Sequence, residues 1–231
     1  EQIRGAILNG DIKLGEQLPP EKEFAKHFKV SKASLREAYR VLEAYGLLEI
    51  RQGMSGGAFI KEVGLQTVKD TLVNYFFFQN PGLNEYSQTR RFIEPQVVRI
   101  CAEKATPEDI KELEDNISAM EKDPSDKGFM RNLDTAFHKK LAEITGNRIL
   151  SLIVESVQSA LVNIRHAVHT DEEFSNMVCE GHKKIVAAIR NQDPELASYA
   201  MTEHIEDVEA GMLACRNGDL IITEKGLLKK E

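Results

Sequence analysis

The sequence predicts a mainly α fold in two parts, and three observations predict it. After Lys61–Gly64, apolar residues recur at helical spacing to about residue 216. Helix-start signatures recur as well: Thr106-Pro107-Glu108-Asp109 and Asp193-Pro194-Glu195 each supply a cap, a proline and first-turn acids. Glycines 46, 53, 56 and 57 gather just before that change of texture. The division expected is an N-terminal part over 1–62, an all-α helical bundle over 68–215, and a tail over 216–231.

Composition narrows the class. With 231 residues the chain can bury a core without disulfide or metal staples. Trp is absent, aromatics make up 6%, and Gly and Pro number 15 and 7, which argues against a β-sandwich or a low-complexity chain. The longest apolar run, around Tyr75–Phe78, is far below the ~20 residues of a membrane span, so no membrane partner is expected. Three cysteines, Cys101, Cys179 and Cys215, form neither a disulfide framework nor a metal motif and suit a reduced cytoplasm. The chain starts without Met inside a helical pattern and lacks signal-peptide grammar, so a trimmed N-terminus is expected. A net charge of −7 speaks against nucleic acid only if the charge is spread evenly, and it is not. Residues 1–62 carry ten Lys/Arg against nine Asp/Glu; the excess acid lies beyond them.

In the first part, Ile3, Ala6 and Ile7 form a helical stripe ending at Asn9-Gly10. Leu18-Pro19-Pro20-Glu21 opens a second helix with Phe24, Ala25 and Phe28 inward. Ser31 caps a third, whose inward face is expected to be Leu35, Ala38, Tyr39 and Leu42, and Gly46 ends it. Leu47–Arg51 and Ala58–Lys61 read as strands joined by the glycine-rich stretch between them. Helix, turn, capped helix and glycine-tipped hairpin is the layout of a winged helix-turn-helix.

Such a unit reads DNA by placing polar and cationic side chains of the capped helix in the major groove. Ser31, Lys32, Ser34, Arg36 and Arg40 fill the outward positions, Lys22 lies on the preceding helix, and Gln52 and Gly53 sit at the wing. Charge alone is equally explained by a solvated helix face. The ordered combination of turn, cap and wing favours DNA.

The stretch from Ile7 through Gly15-Glu16-Gln17-Leu18-Pro19-Pro20-Glu21, then Val30-Ser31-Lys32-Ala33-Ser34-Leu35-Arg36-Glu37-Ala38, resembles the signature of the GntR family of winged-helix regulators. Leu42–Leu48 and Gly53 to Ile60 extend the likeness through the wing. Lys22 and Lys32 stand where that family usually has Arg; lysine is closer to a point charge and lacks arginine's bidentate fork for guanine.

In the second part, Asp134 and His138 share one helix face, on the edge of an apolar arc of about 140° with Phe137 and Leu141. His182 falls among Val178, Ile185, Val186 and Ile189, and His204 among Ala197, Ala200, Met201 and Val208. One inward histidine is ordinarily a satisfied core residue. Three with an aspartate are more economically explained by a shared divalent metal, Zn, Ni, Mn or Fe, with positions open for water or ligand. Tyr75–Phe78 reads as core or dimer contact, His166 and His169 as helix-end residues, and His27 as solvated.

Residues 66–215 resemble the FCD effector domain of the FadR-type branch, through Thr89–Pro95, Leu133–Asn147, Glu180–Ile189 and Met201–Ile205. The resemblance implies Asp134, His138, His182 and His204 as metal ligands and small carboxylates as effectors. Arg90 or Arg91 is expected to reach into the same pocket and pair with a ligand carboxylate, Arg90 being the preferred one of the two. The function expected is a homodimeric, cytoplasmic, ligand-responsive transcription regulator on a near-palindromic double-stranded DNA operator. Two rival readings are a metal-dependent enzyme using the Asp/His3 site and a regulator that senses the metal itself. No second carboxylate or other general base is evident beside the four ligands, which weighs against the enzyme.

Overall fold

The computed structural model describes residues 1–53, 56–167, 171–214, 220–223 and 226–229. They form two compact units, Glu1–Thr71 and Leu72–Glu231.

The first unit holds helices α1 (Gln2–Leu8), α2 (Glu21–Phe28) and α3 (Lys32–Ala44), then the antiparallel strands β1 (Leu48–Arg51) and β2 (Gly57–Ile60). Lys29, at φ 53°, turns the chain out of α2. Ser31 then starts α3, its Oγ accepting from the Ser34 amide at 3.0 Å and thereby satisfying one of the helix's free N–H groups. The inward face of α3 is Leu35, Tyr39 and Leu42. Ala38, expected inward, is exposed: the buried stripe follows a spacing of four then three residues, and position 38 falls just outside it. Strand register pairs Leu48 with Ile60 and Arg51 with Gly57. Gly56 closes the wing because a Cβ there would lie 2.4 Å from the Arg51 carbonyl oxygen. Met54 and Ser55 at the wing tip lie outside the described residues.

Helix α4 (Leu65–Gln79) runs across the border between the units and buries none of its residues. Tyr75, Phe77 and Phe78 are therefore not core, as one reading of that run had it. Only Phe76 turns inward, packing edge-on against Tyr86 at 6.1 Å.

In the second unit, α5 (Leu83–Lys104) packs against α7 (Lys127–Ile144), α8 (Arg148–Ala167), α9 (Glu172–Arg190) and α10 (Pro194–Ala214), while α6 (Pro107–Lys122) packs on α7 and α9. Caps fix where these helices begin. Thr106 and Asp109 bond reciprocally in a capping box, and Asp126 and Asp171 accept from the Phe129 and Phe174 amides at 2.9 and 2.8 Å. The last two caps set the register of α7 and α9, and so the level at which Asp134, His138 and His182 project. Two apolar clusters fill the bundle, one around Phe137, Leu141, Ile185 and Ile205, the other around Met130, Val178, Val208 and Met212. Strands β3 (Leu220–Thr223) and β4 (Gly226–Lys229) pair antiparallel after α10; the rest of the expected tail lies outside the described residues, as do His169 and the side chain of His166. No helix among the described residues is long and apolar enough to cross a membrane.

Candidate metal centre and nucleic-acid interface

Asp134 and His138 on α7, His182 on α9 and His204 on α10 converge at the seam between the two apolar clusters. All four are buried, and one ligand atom from each lies within 4.8 Å of all the others. His182 is wholly buried and stacks flat on Phe137, with ring centroids 3.7 Å apart. The ring nitrogens of His182 and His204 have no hydrogen-bond partner among the described residues. Burial pushes the His182 imidazolium down to about pH 4, against the pull of Asp134, and burial with the neighbouring rings lowers His204 well below its ordinary value. Both rings are therefore neutral at pH 7, the form that binds metals.

These residues fit a divalent ion. His182 Nε2 lies 3.4 Å and His138 Nε2 3.8 Å from Asp134 Oδ1. Those spacings are long for hydrogen bonds, yet near the ~3.4 Å between two ligand atoms each ~2.1 Å from a tetrahedral ion. The buried ring nitrogens of His182 and His204, without partners among the described residues, would be costly as mere filler.

Behind this cluster stands a network that the sequence reading missed. Glu94 on α5, itself buried, places Oε2 2.7 Å from His138 Nδ1. Its Oε1 accepts from Arg90 Nε at 2.8 Å and from Gln158 Nε2 at 3.0 Å. Burial alone would raise the Glu94 carboxyl, but the Arg90 guanidinium and the His138 ring hold it well below the usual carboxylate range. A second carboxylate thus does lie beside the ligands, contrary to expectation. Enclosed between an arginine and a histidine, it is placed to orient a ligand rather than to act as a free base. The available signal was the i, i+4 spacing of Arg90 and Glu94 on one helix face.

Arg90 is not held apart for a ligand. It is 2% exposed, bonds Glu94, and places Nη2 3.2 Å from His138 Nε2. Arg91 instead pairs with Glu209 on α10.

In the first unit, Lys22, Ser31, Lys32, Ser34, Arg36, Arg40, Gln52 and Gly53 are all exposed. A groove of about 700 Å³, lined in part by Arg36, Arg40 and Arg51, separates α3 from the wing. Arg36 is paired with Glu21 of α2, and Arg51 lies 4.3 Å above the Phe59 ring. The surface offers several guanidinium groups around one concavity, which suits a phosphate backbone.

Comparison with known proteins gives two family matches: "Bacterial regulatory proteins, gntR family" over residues 1–60, and "FCD domain" over residues 85–207. The HTH-type transcriptional repressor NanR of Enterobacter sp. (strain 638) is 33% identical over 215 residues, spanning 91% of this chain and 82% of that protein. Among solved structures, Streptococcus agalactiae GntR superposes with a TM-score of 0.61 at 25% identity, covering 90% of this chain and 96% of that one. E. coli McbR/YncC, at 19% identity and a TM-score of 0.52 over 87% of this chain and 88% of that one, shares the fold.

Proposed function

Because the chain belongs to the GntR family of bacterial regulatory proteins and carries its FCD domain, we propose that this DNA-binding transcription regulator is switched by a small carboxylate bound beside a divalent metal. Asp134, His138, His182 and His204 would hold the ion, whether Zn, Ni, Mn or Fe. When bound, such an ion supplies open coordination positions for an anionic oxygen. The observation that carries the reading is the convergence of four buried ligand atoms from three helices within 4.8 Å.

The chain's own residues do the rest. Glu94 orients His138, Phe137 fixes the plane of His182, and Arg90 presents a guanidinium beside the cluster, where a ligand carboxylate would draw it from His138. In the other unit Lys22, Ser31, Lys32, Ser34, Arg36, Arg40, Gln52 and Gly53 would meet DNA. A homodimer places two such surfaces on a two-fold axis, matching a near-palindromic operator. The relatives named as repressors support release from DNA as the response, in the cytoplasm where DNA is met.

The test is operator affinity by fluorescence anisotropy, on a duplex selected from a random pool with the zinc-loaded protein. Acetate, succinate and citrate serve as probe acids. Coupling of about 1–3 kcal/mol, or 5–150-fold in affinity, is expected for an acid that binds. An unchanged affinity with every acid that binds overturns the switch. Chelation decides whether metal is the platform or the signal: affinity that follows metal alone, with no response to acids, favours a metal sensor.

A further inference from the structure

A small pocket opens on α7, α9 and α10 immediately outside the Asp/His cluster. It is a half-open hollow with Asp134 among its lining residues, and its apolar walls include Met130, Val178 and Met212. Lys127 and Arg131 line it as well, each one helical turn apart along the face of α7 that leads to Asp134. Neither cation forms an ion pair with a described residue, and Arg131 Nε is buried without a hydrogen-bond partner. A buried guanidinium N–H left without an acceptor is costly unless an anion completes it. Arg90, by contrast, already has Glu94.

We infer that the effector carries two acidic groups, one at the Asp/His cluster and a second held by Arg131 and Lys127. This deepens the proposed function and rests on the cluster being a site for metal and acid. Arg131 and Asp134 are three residues apart, a rise of about 4.5 Å along the helix, so the two acidic ends sit a few bonds apart. The apolar methionine walls suit a short aliphatic linker between the two acidic ends. The ligand class is therefore a short dicarboxylate.

The experiment is calorimetric titration of the full-length, zinc-loaded protein with succinate and glutarate, against butyrate and pentanoate of matching length. Dicarboxylates are expected to bind at least about tenfold more tightly, since a charge-assisted hydrogen bond is gained. Arg131→Met should erase that advantage with zinc content unchanged in native mass spectrometry, and Lys127→Met should reduce it. Equal affinity for the two classes, no binding of either, or an advantage that survives Arg131→Met overturns the inference. His182→Ala separates this failure from failure of the underlying reading. A preference for dicarboxylates that persists without metal, and still depends on Arg131, keeps the second subsite and removes the metal from ligand binding.

Discussion

Glu94 Oε2 stands 2.7 Å from His138 Nδ1, and that contact decides which ring nitrogen faces the cluster. With Nδ1 set against the carboxylate, Nε2 is the nitrogen left for the cluster, 3.8 Å from Asp134 Oδ1 and 3.2 Å from Arg90 Nη2. The carboxylate also makes the ring a stronger donor to a metal. Glu94→Gln is expected to lower zinc affinity about 10–100-fold, read by competition against a fluorescent chelator. Melting of the metal-free protein monitors the fold, because the substitution also takes the negative charge from Arg90. Glu94→Asp, which keeps that charge, should recover part of the affinity. A Glu94→Gln protein that melts lower yet binds zinc as tightly as wild type would show the carboxylate to be structural only.

Gly181 guards the same cluster from the other side. A Cβ at that position would lie 2.5 Å from His204 Nδ1, and the imidazole cannot bend away without leaving its neighbours. Gly181→Ala improves helix propensity within α9, so on that ground alone it would stabilise by up to about 1 kcal/mol. The expectation is the opposite for metal: affinity falls because His204 is displaced, while helix content by circular dichroism is retained. His182→Ala, which removes a ligand and unstacks Phe137, should abolish stoichiometric zinc in native mass spectrometry. Full occupancy in that variant would remove His182 from the ligand set.

Much of this was legible in the sequence because caps and periodicity are local. Ser31, Thr106 and Asp193 mark helix starts by chemistry within three residues, and His138 follows Asp134 by one turn. The convergence of His182 and His204 on that pair was readable only as inward-facing polar residues on separate helices. Glu94 escaped notice because nothing local distinguishes it from an ordinary i+4 partner of Arg90; its role exists only where α5 meets α7. Of the two expectations for the aromatic run on α4, core or dimer contact, the structure removes the first. Hydrophobicity said core, but a helix with no described neighbour on most of its face leaves Tyr75, Phe77 and Phe78 in solvent.

Cys101 links α5 to α7 about two helical turns beyond Glu94, its thiol donating to the Leu141 carbonyl at 3.1 Å. Burial pushes this thiol up to about 12 from an ordinary 9. The folded state therefore holds the proton where the unfolded chain loses it. Its contribution is intact below pH 9 and is lost progressively as the pH climbs toward 12. At pH 10.5 the loss is about 2 kcal/mol, since each unit of difference is worth about 1.4 kcal/mol. Urea denaturation of wild type and Cys101→Ala across pH 8 to 11 checks this: the wild-type curve should fall more steeply, and parallel curves would refute it.

Arg36 reaches back from α3 to Glu21 on α2, with Nε 2.9 and 3.1 Å from the two carboxylate oxygens. Both side chains are open to solvent, so the pair contributes roughly 0–1 kcal/mol and is easily exchanged for a phosphate. Arg36→Ala is expected to weaken operator binding and to flatten its dependence on the logarithm of salt concentration by about one unit, the mark of a lost phosphate contact. Zinc content, which belongs to the other unit, should be unchanged. Glu21→Gln should act the other way, freeing Arg36 and tightening binding by up to about fivefold at low salt, with the gain fading as salt rises. Anisotropy titrations from 50 to 300 mM KCl, taken as about the usable range for such salt slopes, read both effects. Affinity and slope unchanged in both variants would take Arg36 off the DNA surface.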